Sequence, residues 1–404
     1  MEKYLVPAWS KITHADTKDK FFLINKRRDK EFFINKTIKN FLALFKEPRT
    51  VREIIRQHID KSSSSDNREI SGMIKKFIRD MLSLGVIVEE SELKKFESRF
   101  DKPLLKCRDK LNGYTIKKLI DINTKTQVYL AREPIKKTDV IIKLFYKPLD
   151  LLTERDKKKL RLFRQEFKLM KPFRNHPNIC NLYQYHEDRY AYAVLEYIEG
   201  RNFHDLYSSR KDSIEVRHQV AAGIIRAVAA LHGCNVFHGD IHASNFIAEN
   251  NGNVKLIDFG FGYINDDKKR QIKSNGGVTD YMPPERVRVH GYKVSKAYPT
   301  FRGEVYQVGI ILYCLYAKKM PFTGNTWREL GESIMNAKIV VPKCTINNER
   351  IPKPVKNFIE RAIAKNPDDR FENACTMLQH WLALNAKSEK INTAHALAPG
   401  HYIH

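Results

Sequence analysis

The stretch from Val236 to Gly262 carries residues whose types and spacing suit phosphoryl transfer. Asp240 is followed five residues later by Asn245, and a short apolar strand over Val254–Ile257 leads to a second carboxylate at Asp258. One carboxylate can orient an attacking hydroxyl, while an amide and a second carboxylate can hold Mg²⁺ against a triphosphate. The alternative is that these common loop residues occur together by chance.

The same stretch resembles the signature of the protein kinases, HRD-L-x-x-x-N followed by DFG. Here the letters are HGDIHASN from His238 and DFG from Asp258. The resemblance implies that Asp240 is the catalytic base, that Asn245 binds one Mg²⁺ and that Asp258 is the principal Mg²⁺ ligand, with ATP as the phosphoryl donor. Further family landmarks extend the resemblance over residues 111–384.

The elements before this stretch are predicted to hold the nucleotide. Three antiparallel strands are predicted, over Tyr114–Leu119, Gln127–Arg132 and Val140–Phe145. Asp121, Asn123 and Thr126 stand where the family has the three glycines of its phosphate loop. Since glycine lets backbone N–H groups approach phosphates closely, ATP should be held more weakly here, or by a loop of different shape.

The other nucleotide contacts that the resemblance implies are present. Lys143 takes the place of the lysine that pairs with the α- and β-phosphates, and Glu166, in a helix predicted over Leu160–Met170, that of its ion-pair partner. Strand Tyr192–Leu195 leads into a hinge for adenine, with Leu195 as gatekeeper. The implied cofactor-binding residues are Lys143, Glu166, Val128, Ile141, Glu196, Ile198 and Ile247. A spine of stacked side chains is implied at Met170, Phe259 and His238.

Three departures from the family bear on regulation and substrate. Gly239 replaces the arginine that would bind a phosphate on the activation segment, so activation by phosphorylation of that segment is not implied. His242 stands where Ser/Thr kinases have a lysine, which is similar to small-molecule kinases of the aminoglycoside type. Val278 replaces the threonine that contacts the catalytic residues. Substrate orientation should therefore differ from that of other protein kinases.

Other landmarks favour a protein substrate. YMPPE ends at Glu285, and Arg370 is placed to pair with it, an arrangement that small-molecule kinases lack. Glu304 stands where an aspartate usually anchors the catalytic loop, just before a central helix predicted over Val305–Tyr316. A long amphipathic helix over Ile214–His232 delivers the chain to that loop.

The first 95 residues have the pattern of a small winged-helix-like domain. The predicted elements are a hairpin over Phe21–Ile24 and Glu31–Ile34, helices over Lys36–Phe45, Val51–Ile59 (capped by Thr50) and Ile70–Leu84, a loop over Ser62–Ser65, and a strand over Val86–Val88. This order resembles the PqqD-type peptide-recognition domains of ribosomal-peptide biosynthesis. The resemblance implies a peptide or protein partner that adds a strand to the hairpin edge. A winged-helix nucleic-acid binder and a purely structural extension are the alternatives.

Composition limits the class of protein. The 404 residues suffice for two or three domains, and the hydrophobic content of 42% is ordinary for a globular protein. The six cysteines stand alone without CxxC spacing, which predicts neither a zinc cage nor a disulfide framework and fits a reducing compartment. Because no transmembrane segment or secretory signal is recognisable, a cytoplasmic protein, or one soluble in a host cytosol, is expected.

The net charge of +25 at pH 7 is the extreme value of this composition. Charge of this size favours an anionic partner, such as nucleic acid or a membrane surface. The basic residues are spread along the chain rather than grouped in blocks, so a solvated basic surface is the alternative.

The sequence therefore predicts an α+β protein with a two-lobed protein kinase-like fold, preceded by a small winged-helix-like domain. The predicted divisions are 1–95 for the winged-helix-like adapter, 96–110 for a linker, 111–198 and 199–386 for the two lobes, and 387–404 for a flexible tail. The expected function is ATP-dependent transfer to a Ser or Thr hydroxyl of a protein. The alternatives are a small-molecule or glycolipid kinase, favoured by His242 and Val278, and a pseudokinase scaffold, favoured by the missing glycines.

Overall fold

The structure is a computed structural model that describes most of the chain. The described residues are 3–5, 10–14, 20–25, 30–58, 64–84, 86–90, 103–123, 125–202, 213–265, 279–287, 300–324, 327–345 and 348–384. The chain divides into two compact units: unit 1 contains residues 1–152 and 186–192, and unit 2 contains residues 153–185 and 193–404. The five-part division remains a prediction, and the predicted tail 387–404 and Val278 lie outside the described residues.

In its described residues, unit 1 begins with short strands and three helices. The helices are α1 Lys36–Ala43, α2 Val51–His58 and α3 Ser64–Leu84. The strands are β1 Lys3–Leu5, β2 Ser10–His14, β3 Lys20–Asn25, β4 Lys30–Asn35, β5 Arg49–Thr50, β6 Val88–Glu89, β7 Lys110–Leu111, β8 Tyr114–Ile122, β9 Thr126–Arg132 and β10 Asp139–Phe145.

The predicted N-terminal hairpin is confirmed. Strand β3 pairs antiparallel with β4 in a register that sets Phe21 opposite Ile34. Strand β2 pairs with the other side of β3, so the sheet order is β2-β3-β4. The prediction missed β2 because its sequence SKITH has a single apolar residue and no clear alternation. A second small sheet places β1 between β5 and β6. Strand β6 begins two residues later than the predicted strand Val86–Val88 and ends one residue later.

The N-terminal helices pack on a core of their own. Its buried members are Ile34, Leu42, Phe45, Ile54, Ile74, Ile78, Val86 and Ile87. Thr50 caps α2, since its backbone N–H donates to Glu53 Oε2 at 2.7 Å and its hydroxyl accepts from Glu53 N–H at 3.3 Å. The predicted loop Ser62–Ser65 is wrong for Ser64 and Ser65, which open α3, because serine is tolerated in the first turn of a helix. The first half of that loop lies outside the described residues.

The long strands of unit 1 form an antiparallel meander. Strand β9 lies between β8 and β10, and β7 pairs with the start of β8. The three strands predicted here are confirmed, with ends that extend by up to three residues. Two further strands are β11 Leu182–Glu187 and β12 Ala191–Glu196, and their residues 186–192 belong to unit 1. With these two strands the sheet order is β11-β12-β10-β9-β8-β7.

Unit 2 is mainly helical. The helices of its described part are α4 Glu154–Met170, α5 Ile214–Gly233, α6 Phe301–Ala317, α7 Trp327–Asn336, α8 Lys353–Ala362 and α9 over residues 374–384. Its short strands are β13 Gly200–Asn202, β14 Val236–Phe237, β15 Phe246–Glu249, β16 Val254–Leu256 and β17 Tyr263–Ile264. Strand β15 lies between β13 and β16, and β14 pairs with β17.

Helix α6 lies at the centre of unit 2. All its residues from Gly303 to Ala317 are buried, as expected of a helix that is apolar on every side. Helix α4 begins at Glu154 and not at the predicted Leu160, because Thr153 and Asp156 form a capping box. Among the described residues, no helix combines the length and the apolar character needed to cross a membrane.

Candidate active site

Hydrogen bonds bring three polar residues of unit 2 together. The side-chain Nδ2 of Asn245 donates to the backbone carbonyl of Asp240 at 2.9 Å. The backbone N–H of Ile257 donates to the carbonyl of Asn245 at 2.8 Å, directly before Asp258. Asn245 is therefore bonded to the backbone of Asp240 and to that of Ile257, which directly precedes Asp258. Local hydrogen bonds thus link three of the catalytic residues proposed from the sequence, while the fourth, Lys143, belongs to unit 1.

Asp258 has an unusual backbone conformation, with a φ of 62°. Its Oδ1 accepts a hydrogen bond from the N–H of Gly260 at 3.1 Å. A Cβ at Gly260 would lie 3.1 Å from that oxygen and 3.7 Å from Oε2 of Glu166, which is itself buried. The glycine thus leaves space between two carboxylates, those of Asp258 and Glu166.

Phe259 holds the turn around Asp258 and Gly260 in place by packing its ring into the apolar core. Its ring is fully buried and meets the ring of His238 edge to face, with 5.3 Å between the centroids. The Nε2 of His238 lies 3.3 Å from the carbonyl oxygen of Ile257. The contact predicted between His238 and Phe259 is confirmed, although the rings meet edge to face and are not stacked. Met170, the third predicted member of the spine, is also buried.

The carboxylate of Asp240 has the surroundings of a proton acceptor. Its Oδ1 is buried and has no hydrogen-bond partner among the described residues. Its Oδ2 lies 3.4 Å from Nε2 of His242. A buried carboxylate oxygen without a donor is costly, and a substrate hydroxyl would supply that donor.

Glu304 anchors the catalytic loop from the first turn of α6. Its Oε1 accepts a hydrogen bond from the N–H of Gly239 at 2.7 Å, and its Oε2 lies 2.9 Å from Nε2 of His232. The Nδ1 of His232 accepts from the N–H of Ala374 at 2.9 Å, which places the imidazole proton on Nε2, facing Glu304. The predicted anchor is confirmed. Sequence reasoning missed His232, whose only signal was its place at the end of the helix before the loop.

Gly239 is required by the geometry of the loop. Its φ is 80°, and a Cβ added there would lie 2.4 Å from the carbonyl oxygen of Phe261. No residue with a side chain fits this position unless the backbone moves. The loop therefore excludes an arginine between His238 and Asp240.

The predicted pair at the end of the activation segment is confirmed. Arg370 donates from Nη1 and Nη2 to the two carboxylate oxygens of Glu285, at 2.9 and 2.8 Å. Two parallel bonds of this kind are the strong form of an Arg–carboxylate interaction. They fix Glu285, and with it the end of the segment.

The predicted nucleotide-binding residues of unit 1, Lys143, Val128 and Ile141, lie on neighbouring strands. Lys143 of β10 stands opposite Val128 of β9, and Ile141 stands opposite Leu130. Lys143 belongs to unit 1 and Glu166 to unit 2, so the ion pair between them remains a prediction.

The turn between β8 and β9 is closed by a side chain. The Oδ1 of Asn123 accepts hydrogen bonds from the backbone N–H groups of Lys125 and Thr126, both at 2.8 Å. In a glycine-rich loop, N–H groups of this kind are the donors that phosphates would use. Here these N–H groups donate to the amide oxygen of Asn123 instead of to a phosphate.

The first residue of the predicted hinge is held by its side chain. The carboxylate of Glu196 lies 2.7 Å from Nζ of Lys255 and accepts from the N–H of Asn181 at 3.0 Å. Ile198 is buried, and Ile247 of β15 stands opposite Lys255 of β16. Sequence reasoning missed Lys255, although a lysine inside the apolar strand VKL was its signal.

The residues at the centre of the site fit a Mg²⁺ ion chemically. Asn245 uses its amide nitrogen toward Asp240, and Asp258 uses Oδ1 toward Gly260. An amide oxygen and a carboxylate are the hard oxygen ligands that Mg²⁺ takes in proteins. The donor set therefore suits Mg²⁺.

Comparison with known proteins agrees with this geometry. Residues 114–382 match the family model of the protein kinase domain. The chain is similar to serine/threonine-protein kinase PrkC of Bacillus subtilis (strain 168), with 28% identity over 268 residues, 65% of this chain and 39% of that protein. It is also similar to CBL-interacting serine/threonine-protein kinase 15 of Arabidopsis thaliana, with 25% identity over 282 residues, 68% of this chain and 62% of that protein.

A third relative extends over a similar region. It is serine/threonine-protein kinase kin-29 of Caenorhabditis elegans, with 25% identity over 291 residues, 72% of this chain and 33% of that protein. The chain spans less than two thirds of the length of each of these three relatives. The family match covers well over half of the chain, and the chain therefore belongs to the protein kinase domain family.

Proposed function

We propose that this protein is an ATP-dependent protein kinase that phosphorylates Ser or Thr hydroxyls of a protein. The group formed by Asp240, Asn245 and Asp258 carries the proposal, because a buried carboxylate oxygen without a donor belongs to the same group as a pair of Mg²⁺-type ligands. Relatives named serine/threonine-protein kinases support the substrate class. The pair of Glu285 with Arg370 supports it too.

In the proposed reaction, Asp240 acts on the substrate hydroxyl. Its Oδ1 accepts the hydrogen bond of the hydroxyl and takes the proton as the substrate oxygen bonds to the γ-phosphorus. The bond from that phosphorus to the β,γ-bridging oxygen breaks, leaving ADP. His242, 3.4 Å from Oδ2, orients the carboxylate. Asn245 and Asp258 would hold Mg²⁺, which when bound neutralises charge on the phosphates.

The nucleotide is proposed to use residues of both units. Lys143 would pair with the α- and β-phosphates, with Glu166 as its partner. Since Lys255 and Asn181 engage the carboxylate of Glu196, the backbone of Glu196 is the part proposed to meet adenine. Apolar contacts to the base would come from Val128, Ile141, Ile198 and Ile247.

The N-terminal region is proposed to recruit a peptide or protein partner, as a winged-helix-like adapter. Among the described residues, β2 and β4 are the outer strands of their sheet, and an outer strand can accept an added strand through its backbone. Nucleic acid or a membrane surface is the anionic alternative that the net charge of +25 favours. We also propose a cytoplasmic location, or one in a host cytosol, with which the isolated cysteines agree because they fit a reducing compartment.

Transfer of radiolabelled phosphate from ATP tests the catalytic proposal. Wild type with Mg²⁺ and casein or histone should label protein on Ser or Thr, while Asp258→Ala should not. Asp369→Ala, which removes an exposed carboxylate from a surface turn, is the matched control and should keep activity. Label in small molecules instead of protein would contradict the substrate class. Absence of any transfer by wild type would show a scaffold without catalysis.

A further inference from the structure

The segment that precedes β7 is hydrogen-bonded to side chains of strand β9. The N–H of Leu104 donates to Gln127 Oε1 at 2.8 Å, and the N–H of Leu105 donates to the hydroxyl of Tyr129 at 3.2 Å. The Tyr129 hydroxyl in turn donates to Gln127 Oε1. Two consecutive backbone donors of the segment are thus satisfied by two side chains of a single strand.

Both of these side chains lie inside the protein. Gln127 is 3% exposed and Tyr129 is fully buried. Burial raises the pKa of the Tyr129 hydroxyl, which therefore keeps the proton that it donates. Because a buried amide or hydroxyl is costly unless it is hydrogen-bonded, release of the segment would take partners away from two buried polar groups.

Further hydrogen bonds hold the end of this segment, residues 103–109, which we call the strap. The N–H of Arg108 donates to the carbonyl of Ile116 in β8 at 2.8 Å, and the N–H of Ile116 donates back to the carbonyl of Asp109 at 2.9 Å. Within the strap, the N–H of Lys106 donates to Asp109 Oδ2 at 2.7 Å. The strap is therefore bonded to β9 near its start and to β8 near its end.

The strap lies outside the part of the chain that matches the protein kinase domain, which begins at residue 114. In the sequence it follows the N-terminal region and directly precedes that domain. The covalent path from the N-terminal region to the kinase domain therefore runs through the strap.

Strand β9 also carries part of the proposed nucleotide site. Val128 lies between Gln127 and Tyr129 and stands opposite Lys143 of β10. Since successive side chains of a strand point to opposite faces, Val128 faces away from the two side chains that hold the strap. The strap and the proposed contact to the base thus use opposite faces of the same three residues.

We propose that Gln127 and Tyr129 are positioning residues for the nucleotide, and that the strap and ATP stabilise each other through β9. The seated strap holds β9 where Val128 contacts the base. When the strap is released, the buried groups lose their partners, the strand shifts and ATP binds more weakly. A partner that pulls the strap away from the N-terminal side therefore lowers the affinity for ATP. The proposal rests on the nucleotide site of the proposed kinase function.

The first test compares two buried tyrosines of unit 1. Tyr129→Phe removes the hydroxyl that holds Leu105, whereas the control Tyr192→Phe removes a hydroxyl that accepts from Asn112 at 2.8 Å in an equally buried side chain. Both variants should unfold at a lower temperature. Only Tyr129→Phe should raise Kd and KM for ATP, about fivefold, with kcat unchanged.

A double-mutant cycle separates the strap from the strand. Leu104→Pro removes the N–H that donates to Gln127 and leaves β9 unaltered, while Gln127→Leu removes the acceptor. Each change alone should raise Kd for ATP about tenfold, measured by calorimetric titration with Mg²⁺. The double variant should raise it no further than Gln127→Leu does, because both changes break the same bond.

Hydrogen exchange measures the strap itself. Because coupling between two sites is reciprocal, saturating ATP and Mg²⁺ should slow exchange at the N–H groups of Leu104 and Leu105 in wild type, and not in Gln127→Leu.

The proposal would be overturned by an unchanged Kd in Tyr129→Phe and Gln127→Leu, by an equal rise in Tyr192→Phe, by additive effects in the double variant, or by exchange that ATP does not alter. Wild type that binds ATP without transferring phosphate would refute the kinase function alone, since these measurements report binding. Wild type that binds no ATP would overturn both.

Discussion

Arg370 joins Glu285 to three other points of the chain. Besides its two bonds to the carboxylate, the guanidinium donates from Nε to the carbonyl of Ala364 at 2.7 Å, from Nη1 to that of Arg302 at 3.1 Å and from Nη2 to that of Lys365 at 3.0 Å. All five N–H groups of the guanidinium therefore have acceptors, in a side chain that is 2% exposed.

Replacement of Arg370 by Met should destabilise the protein strongly. The change leaves three backbone carbonyls and the carboxylate of Glu285 without their donor, so we expect a loss of about 3 kcal/mol in the free energy of unfolding. Arg370→Lys keeps a charge but not the planar fork, and should recover only part of this. Chemical denaturation measures the change.

The matched control for Arg370 is Arg302→Met. Arg302 donates to the carbonyl of Pro367 at 3.1 Å and lies 3.9 Å from the exposed carboxylate of Asp368. An exposed pair contributes little, so the expected loss is about 1 kcal/mol or less. Equal losses in the two variants would show that the fork on Glu285 has no special role.

Gly239→Ala should damage the catalytic loop more than the same change at Gly252. Both glycines have positive φ, 80° and 84°, so each substitution carries a backbone cost of about 1–2 kcal/mol. At Gly252 the added Cβ meets the end of the Gln219 side chain, which can rotate away, whereas at Gly239 it meets the backbone carbonyl of Phe261. The unfolding temperature and kcat of the two variants test this difference. Equal effects in Gly239→Ala and Gly252→Ala would contradict a clash with the carbonyl of Phe261.

Much of the fold was readable because local signals were strong. The hairpin β3–β4 has β-type runs on both sides of a charged turn, and helix Ile214–Gly233 has a continuous apolar face that ends at the predicted residue within one position. The first residues of helices were harder to predict. Thr153 and Asp156 cap α4, but the charged sequence that follows them hides the apolar period, so the prediction began at Leu160.

The site was predictable where the chain keeps its chemistry within a few residues. Asp240, Asn245 and Asp258 are close in sequence, and their hydrogen bonds are local. The groups that sequence reasoning missed act over long separations in the chain: His232 on Glu304, and Lys255 on Glu196. A motif shows which residues carry the chemistry, whereas these partners follow only from the tertiary packing.

Asn123 should limit ATP binding. Because its Oδ1 takes the N–H groups of Lys125 and Thr126, Asn123→Gly would release two donors for phosphate, and we expect Kd for ATP to fall about tenfold. Asn123→Asp keeps the acceptor and adds a charge that repels phosphate, so it should weaken binding. Thermal-shift titration with ATP and Mg²⁺ measures both.

Two further variants serve as controls for the Asn123 experiment. Asn112→Gly removes another turn asparagine of unit 1, which donates to Asp188 and Tyr192, and should leave Kd for ATP unchanged. Lys143→Met should abolish the thermal shift. An unchanged shift in Lys143→Met would remove Lys143 from the site, and a weaker Asn123→Gly complex would disprove the competition described for the turn.

Activity should not depend on phosphorylation of the activation segment. Gly239 excludes the arginine that would receive a phosphate on Ser274, Thr279 or Tyr281, and Tyr281 is buried. Enzyme treated with phosphatase should therefore keep its rate of transfer, and Thr279→Ala should behave like wild type. A large loss after treatment would mean that another basic residue, such as Lys268 or Lys273, binds a phosphate.

A chain that begins at Lys102 should fold, bind nucleotide and lose phosphorylation of its natural target. The apolar core of the N-terminal helices lies between Ile34 and Ile87, so it is removed as a whole. The shortened chain keeps the hydrogen bond from the N–H of Leu104 to Gln127 Oε1, at 2.8 Å. This bond joins the predicted linker 96–110 to strand β9 of the sheet. A chain that begins at Asp109 lacks that bond and should unfold at a lower temperature. Aggregation of the longer of the two would show that the N-terminal region is part of the kinase core, and that this division of the chain is wrong.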